Sequence, residues 1–294
     1  MIENILAIIN PISGYARARQ LPMKLQRRLR DEGFSTRIHI TQGPNDATDY
    51  VHRHGGDFDL VIACGGDGTV RDVVSAASVE NIPVTVFPTG TENLFSKELG
   101  ITSDLDCMVR MLRHGHFIDI DMATVNDKRF LLLSGIGFDA RVLLMLNRFR
   151  TGNITHLTYF WPIWRTFWEY DFPPINVQAD GQLVMDNEPG LVFISNIRRY
   201  AVGLQICKRA EKDDARMDLC IYKTDHQISL LAHAWRTVLG RHVDHPNVVY
   251  RQASDIKIWS DREIPFAVDG DPAGFLPATY QVLPKALKVL VPPE

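Results

Sequence analysis

Along the N-terminal part of the chain, short apolar runs alternate with stretches whose apolar residues recur at helical spacing. Ile5 to Ile9 is a continuous apolar run, the pattern of a strand buried on both faces. Beyond Asn10-Pro11-Ile12-Ser13-Gly14, the residues Leu21, Leu25 and Leu29 fall on one face of a helix that Gly33 closes. Arg37 to Thr41 alternates as a half-buried strand, and a helix follows Pro44-Asn45-Asp46. Leu60 to Cys64 is another buried strand, Val73 to Ala77 lies on the helix after its glycine-rich turn, and Val84 to Phe87 is a further strand. Ser103-x-x-Asp106 has the spacing of a capping box for a helix ending near His114. This β-α-β-α order predicts a doubly wound α/β domain around a parallel sheet.

From about Asp119 the period changes. Short alternating runs sit between turn signals at Asp119–Val125, Arg129–Ser134, Ile175–Ala179, Gln182–Met185, Leu191–Ser195, Met217–Tyr222, Asp255–Trp259 and Lys288–Val291. Asp180-Gly181 is a hairpin turn. Helices are expected near Ala140–Asn147, His156–Tyr170 and Ser229–Leu239. The reading is a β-sandwich or open barrel, with domains at 1–120 and 121–294 and the last residues able to return to the first domain. No low-complexity linker separates the halves, so an extensive interface with a cleft is expected.

Composition narrows the function. The 294 residues are 45% hydrophobic and 23% charged, as in a folded globular protein, and the formal net charge of -3 argues against a nucleic-acid binder. The four cysteines, Cys64, Cys107, Cys207 and Cys220, form no C-x-x-C pair, which fits buried thiols in a reducing cytosol and neither disulfides nor zinc. No basic leader opens the sequence, and the apolar stretch from Leu157 to Phe172 carries Arg165, Glu169 and Asp171, so no transmembrane segment is expected.

The candidate chemistry gathers at strand ends. Leu60–Cys64 runs into Gly65-Gly66-Asp67-Gly68-Thr69 and then a helix. Glycines there let backbone approach a ligand, and a helix N-terminus favours phosphate. A carboxylate beside phosphates points to Mg²⁺ or general-base work, although Asp67 could simply cap its helix. The P-loop pattern is absent. Phe87-Pro88-Thr89-Gly90-Thr91-Glu92-Asn93-Leu94 follows the next strand, with Thr89, Thr91 and Asn93 as neutral hydrogen-bonding groups. Asn10–Gly14 supplies a third loop at the same edge, and Arg17 and Arg19 could neutralise phosphate or form a solvated face.

These loops resemble, in order and spacing, the N-P-x-S-G, G-G-D-G-T and P-x-G-T-x-N-D series of the diacylglycerol kinase catalytic family, which includes sphingosine kinases and bacterial lipid kinases. Gly135-Ile136-Gly137-Phe138-Asp139-Ala140 is similar to the family's G-x-G-x-D-A, Val268-Asp269-Gly270-Asp271 to its V-D-G-E, and Ala210 with Asp214 to its A-x-x-D-D-G. Leu283 to Pro292 looks like its usual ending, so the resemblance spans essentially the whole chain. It implies a phosphofructokinase-like nucleotide domain, a β-sandwich, and a lipid kinase that moves the γ-phosphate of ATP, with Mg²⁺, to a lipid hydroxyl. Carried over, Asp271 is the general base, and Asp67 is the acid, and metal ligand, on the nucleotide side. Asn10, Pro11, Ser13, Gly14, Gly65, Gly66, Gly68, Thr69, Gly90, Thr91 and Asn93 form the nucleotide site. The lipid would be met at a membrane surface, from the cytoplasm, in a role in phospholipid metabolism, and a homodimer is compatible with this. Taken alone, Asp269-Gly270-Asp271 reads as a hairpin turn.

The departures keep two alternatives open, an NAD kinase-like enzyme and a non-catalytic lipid- or nucleotide-binding protein. Leu94 stands where the family usually has Asp, Asp271 replaces the commoner Glu, Asp72 stands for a frequent Glu, and Ala215 follows Asp214 in place of Gly. Phe149, Tyr159, Phe160, Trp161, Trp164, Phe167 and Trp168 could line an acyl pocket or touch a membrane, but an aromatic stripe more often packs on a core. Arg148, Arg150, Arg198 and Arg199 read as headgroup contacts or solvated surface. The pairs His52/His54, His114/His116 and His242/His245 lack a third metal ligand and read as surface or loop residues.

Overall fold

In the computed structural model, residues 2–13, 20–148, 156–200 and 203–293 are described, with side chains at 147–148 and 156–162 left aside. Gly14, Arg17, Arg19, Phe149 and Arg150, and the side chains of Arg148, Tyr159, Phe160 and Trp161, therefore lie outside the described residues. The chain divides into two compact units: residues up to Met122 together with those from Leu283 onward, and Ala123–Val282.

In the first unit the strands β1 (Asn4–Ile9), β2 (Ser35–Ile40), β3 (Leu60–Gly65) and β4 (Val84–Pro88) alternate with helices α1 (Leu21–Asp31), α2 (Asp46–His54) and α3 (Asp67–Glu80). A five-residue helix α4 (Leu94–Glu98), α5 (Leu105–His114) and the start of β5 (His116–Val125) complete it. The sheet is parallel in the order β4-β3-β1-β2, and the end of the last strand adds beside β4 through Val289 and Val84. Every residue of β3 and β4 is buried, as the apolar runs required. The face of α1 that packs inward consists of Leu21, Leu25 and Leu29. The cap of α5 is Asp104, whose carboxylate accepts from the Cys107 amide at 2.8 Å, and not Ser103 as the capping-box spacing suggested.

The second unit is antiparallel. It continues with β6 (Lys128–Phe130), β7 (Leu133–Ile136), helices α6 (Phe138–Arg148) and α7 (His156–Glu169), then β8 (Pro174–Ala179), β9 (Gln182–Ser195) and β10 (Met217–Lys223). After α8 (Gln227–Val238) come β11 (Val248–Ala253), β12 (Asp255–Trp259), β13 (Pro265–Val268), β14 (Asp271–Phe275) and β15 (Ala278–Val291). The expected strands at Gln182–Met185 and Leu191–Ser195 are one 14-residue strand. Its first half pairs with β8, and its second half pairs with β7 and β10, so β9 passes from one sheet to the other. Val177, Ile194, Leu219, Ile256 and Phe266 are among the residues that fill the space between the sheets. On β10 the neighbours of Leu219 turn the other way, and Cys220 and Tyr222 join Tyr170, Phe193 and Cys207 in a second cluster. The fold is therefore an α/β domain with a parallel sheet plus a β-sandwich.

One carboxylate explains a break in the strand expected at Arg129–Ser134. The turn Asp269-Gly270 between β13 and β14 has both residues at positive φ, 48° and 84°, as a two-residue hairpin requires. It directs the buried Asp269 side chain at the backbone amides of Leu131, Leu132 and Leu133, which donate to it at 2.9, 2.8 and 3.1 Å. With the Leu131 and Leu132 amides spent on the carboxylate the ladder is interrupted there: β6 ends at Phe130, and β7 begins at Leu133, the third residue bonded to it. Two other expectations are made more specific here. His242 lies in a loop, one of the two readings given for it, but is fully buried, with Nε2 on the Ile206 carbonyl at 2.8 Å. The aromatic stripe is split, for Phe167 is buried while Trp164 and Trp168 are largely exposed. Asp269→Ala is expected to lower unfolding free energy by about 3 kcal/mol or more, the cost of stranding buried donors of charge-assisted bonds, measured by urea denaturation.

Candidate active site

Because β1, β3 and β4 run parallel, the loops that follow them emerge at one edge of the sheet. Hydrogen bonds then tie the three loops together. The Asn10 side chain accepts from the Ile12 amide at 3.0 Å and donates through Nδ2 to Thr69 Oγ1, also at 3.0 Å. The Thr89 hydroxyl donates to Ser13 Oγ at 3.1 Å. Asn93, at φ 49°, closes its own loop: the Gly90 amide donates to Oδ1 at 2.9 Å, and Nδ2 donates to the Gly90 carbonyl at 2.8 Å.

The tightest approach is backbone on backbone. A Cβ on Gly90 would lie 2.6 Å from the Gly66 Cα, and one on Gly66 would lie 3.4 Å from the Gly90 Cα. This contact needs glycine at position 90, whereas a Cβ on Gly66 would be close but tolerable. Gly65 in turn leaves room for the Thr69 side chain, which a Cβ would meet at 2.4 Å. Gly68 is different. It sits in the first turn of α3 with ordinary helical φ, and a Cβ there meets nothing within 4 Å. The fold does not ask for glycine at 68, so its missing side chain leaves a shallow approach to the first turn of a helix, where amides point outward. Pro11 lies in the turn after β1, and Thr91 is exposed at the tip of the third loop.

Asp67 opens α3 but does not cap it. Its Oδ1 accepts from the Leu94 amide at 2.7 Å, at the start of α4. Burial pushes the carboxyl pKa above its usual range, against the opposing pull of the Leu94, Phe95 and Asn93 amides, and Glu92 adds repulsion. Position 94 thus contributes its main chain, and an apolar side chain there leaves that bond intact. Among the described residues no group of three His, Cys, Asp or Glu side chains could hold a metal by itself. One acid beside a helix N-terminus suits a cation that arrives with phosphates, as Mg²⁺ does when it keeps water and phosphate oxygens as its other ligands.

In the second unit, Asp271 is half-buried at the start of β14, directly after the turn that Asp269 anchors. Asp139 accepts from the Tyr200 hydroxyl, and burial raises its carboxyl pKa. Asp214 accepts from the Arg216 amide at 3.0 Å and from Gln252 Nε2 at 2.8 Å. Ala215 has φ 59°, which is why glycine suits that position: the departure there is one of backbone conformation and not of chemistry. The role of Asp269 escaped sequence reasoning, because an Asp-Gly turn reveals nothing of where its carboxylate points.

A parallel α/β unit with three crosslinked loops, one acid and an open helix N-terminus, carried with an antiparallel sandwich, defines a phosphate-handling enzyme of two units. The profile of the diacylglycerol kinase catalytic domain matches residues 4–125, and that of the YegS C-terminal NAD kinase beta sandwich-like domain matches residues 134–291. The chain belongs to the diacylglycerol kinase catalytic family and is a lipid kinase of it. A "Probable lipid kinase YegS-like" of Citrobacter koseri is 30% identical over 90% of this chain and 89% of its own. A diacylglycerol kinase of Staphylococcus carnosus is 25% identical over 98% and 94%. A crystal structure of a diacylglycerol kinase from Bacillus anthracis shares the fold at a TM-score of 0.73, with 20% identity over 99% of this chain and 98% of that one. No helix among the described residues is long and apolar enough to cross a membrane.

Two stability measurements check the site. Gly90→Ala is expected to cost about 1–3 kcal/mol through overpacking, while Gly68→Ala leaves stability unchanged or higher by up to about 1 kcal/mol, read from urea titrations. For Asp67, a raised folded pKa means that its contribution to stability is present below the unfolded pKa and is lost as pH rises through the folded one. Asp67→Asn, which keeps an acceptor for Leu94, is therefore expected to melt at the same temperature as wild type or higher at pH 7.5. That advantage should disappear as the pH is lowered toward about 4, the ordinary Asp range.

Proposed function

We propose that the protein transfers the γ-phosphate of ATP to the free hydroxyl of diacylglycerol or a related lipid alcohol. The observation that carries the reading is the open first turn of α3 at Gly68, beside the half-buried Asp67 carboxylate, whose charge its surroundings disfavour. The phosphates lie against the amides of that turn, with Gly66 and Gly90 fixing the loop spacing and Asn10, Thr69 and Asn93 holding the loops in shape. Ser13 and Thr91 offer hydroxyls to the nucleotide. Mg²⁺, when bound with the phosphates, offsets their charge, and Asp67 is the residue that would hold it. Asp271 takes the proton as the acceptor oxygen attacks the γ-phosphorus, the bond to the β-phosphate bridging oxygen breaks, and ADP leaves. Aspartate is shorter than glutamate by one methylene but has the same basicity class.

The test is transfer of labelled γ-phosphate from ATP to lipids in mixed micelles, with diacylglycerol, a sphingoid base, ceramide and lipid-free NAD in parallel. Labelled diacylglycerol is expected with wild type. Asp271→Asn should lose about 10²–10⁴-fold, the range for a general base, and Asp67→Asn at least as much, with both variants folded. Gly68→Ala should keep the fold and lose ATP binding. Full activity in both Asp variants would refute the assignment, and label in NAD alone would replace a lipid acceptor with a dinucleotide.

A further inference from the structure

Helix α8 carries its two faces the wrong way round for a soluble protein. Its buried residues are polar, His233 and Thr237. Ile228, Leu231, Trp235 and Val238 recur at i, i+3, i+7 and i+10 as one stripe, and with Leu239 they are between 52% and 76% exposed. Leu230 is half-buried against the second apolar cluster, but the longer apolar stripe of the helix is the one that faces outward.

Polar bonds hold it as it is. Thr237 Oγ1 donates to the His233 carbonyl at 2.9 Å and lies 2.9 Å from the Tyr222 hydroxyl. His233 Nε2 faces the Lys223 carbonyl at 3.3 Å. At the N-terminal end Gln227 Nε2 donates to the Tyr170 carbonyl at 3.2 Å, and past the C-terminal end Lys208 Nζ donates to the Gly240 carbonyl at 2.8 Å. The outward stripe is therefore a fixed feature of the second unit, and a contiguous apolar ridge on a soluble surface marks a site of interaction.

Charge identifies the occupant. The ridge ends at Trp235, Val238 and Leu239, and that end is collared by Arg236 and Arg241 and by Lys208 on the Gly240 carbonyl. Arg209 stands beside them, its guanidinium 3.6 Å from Asp244 and over the Tyr250 ring. Among the described residues four basic side chains, Arg236, Arg241, Lys208 and Arg209, stand at this end, with Asp244 paired to Arg209, while at the other end Asp225 is paired with His226. Apolar side chains with a tryptophan, rimmed by cations, complement a surface that is apolar within and negative at its boundary.

We propose that the outward face of α8 is the surface by which this protein sits on an anionic lipid bilayer. The inference rests on the lipid-acceptor reading for its purpose, since such an acceptor is reached at a bilayer, but the binding itself is measured without any phosphorylation.

The experiment is sedimentation with vesicles of phosphatidylcholine, with and without about one third phosphatidylglycerol, the anionic component that the basic collar selects. Wild type should bind the anionic vesicles and bind the neutral ones weakly. Leu231→Ser with Trp235→Ser should weaken that binding at least about tenfold with an unchanged melting temperature. Arg236→Gln with Arg241→Gln should weaken it several-fold and remove much of its salt dependence. With a short-chain diacylglycerol in solution the Leu231/Trp235 variant should phosphorylate as wild type does, whereas with long-chain diacylglycerol in vesicles it should fall at least about tenfold. Vesicle binding lost in the variant, with no phosphorylation by either protein, would uphold the docking face and sink the reading of diacylglycerol as acceptor. Equal vesicle binding by wild type and the Leu231/Trp235 variant would overturn the proposal. So would a wild-type dimer by light scattering that this variant abolishes, which would give the face to a second copy.

Discussion

The contact of Gly66 with Gly90 sets the geometry of the three loops. A side chain on Gly90 would force the ends of β3 and β4 apart. With the backbones touching, the start of α4 comes within reach of Asp67, and the Leu94 amide bonds its carboxylate. The same approach brings Thr89 to Ser13, while Asn10 reaches Thr69 on the other side of Gly66. Three loops that are far apart in sequence become one surface because Gly90 lacks a side chain where the two backbones meet. Loops are ordinarily the mobile part of an α/β unit. Here each is tied to a neighbour, so the groups facing a ligand are ordered before it arrives, and less entropy is lost on binding.

Much of the first unit is legible because its signals are local. A strand buried on both faces must be apolar throughout, and β1, β3 and β4 are. The stripe Leu21, Leu25 and Leu29 states which face of α1 packs inward. The glycine loops can be read because a phosphate-binding turn needs small residues at fixed spacing. What could not be read depends on partners distant in sequence. Nothing in Asp269-Gly270 indicates that the carboxylate reaches residues 131–133, so the division of β6 from β7 was invisible. Asp104 displaced Ser103 as a cap because either residue can serve, and backbone conformation chose between them. His242 could be read as a loop residue, but its burial could not, since the Ile206 carbonyl that it meets lies far away in the chain.

The two hairpin aspartates of the sandwich show how one residue type acquires different work from its position. Asp180 and Asp269 both precede a glycine, and both adopt positive φ. Asp180 accepts from the Ser254 and Asp255 amides, with its side chain partly open to water. Asp269 is buried and serves three amides of one segment. Only the second controls what lies next to a candidate catalytic group, because it fixes the turn from which Asp271 begins β14. A hairpin reading and a functional reading of Val268–Asp271 are thus compatible: the turn would be the support for Asp271, the residue proposed to act as base.

The two unfavourable features of this chain share a physical logic. Asp67 holds a carboxylate where burial disfavours its charge, and α8 holds apolar side chains where water disfavours them. Either could be relieved by a simple substitution, an amide for the acid or polar residues for the stripe. Neither is forced by the fold, for the Leu94 amide needs only an acceptor, and α8 is held by bonds on its opposite face. A protein with marginal stability that keeps avoidable costs keeps them where something outside the chain compensates. For a half-buried anion near a helix N-terminus the compensating species is positive or brings a positive ion. For an apolar ridge with a basic collar it is an apolar phase with a negative boundary. A metal–nucleotide complex and an anionic bilayer are the two environments that a kinase acting on a membrane lipid must engage, so each cost argues for the same activity from a different part of the molecule.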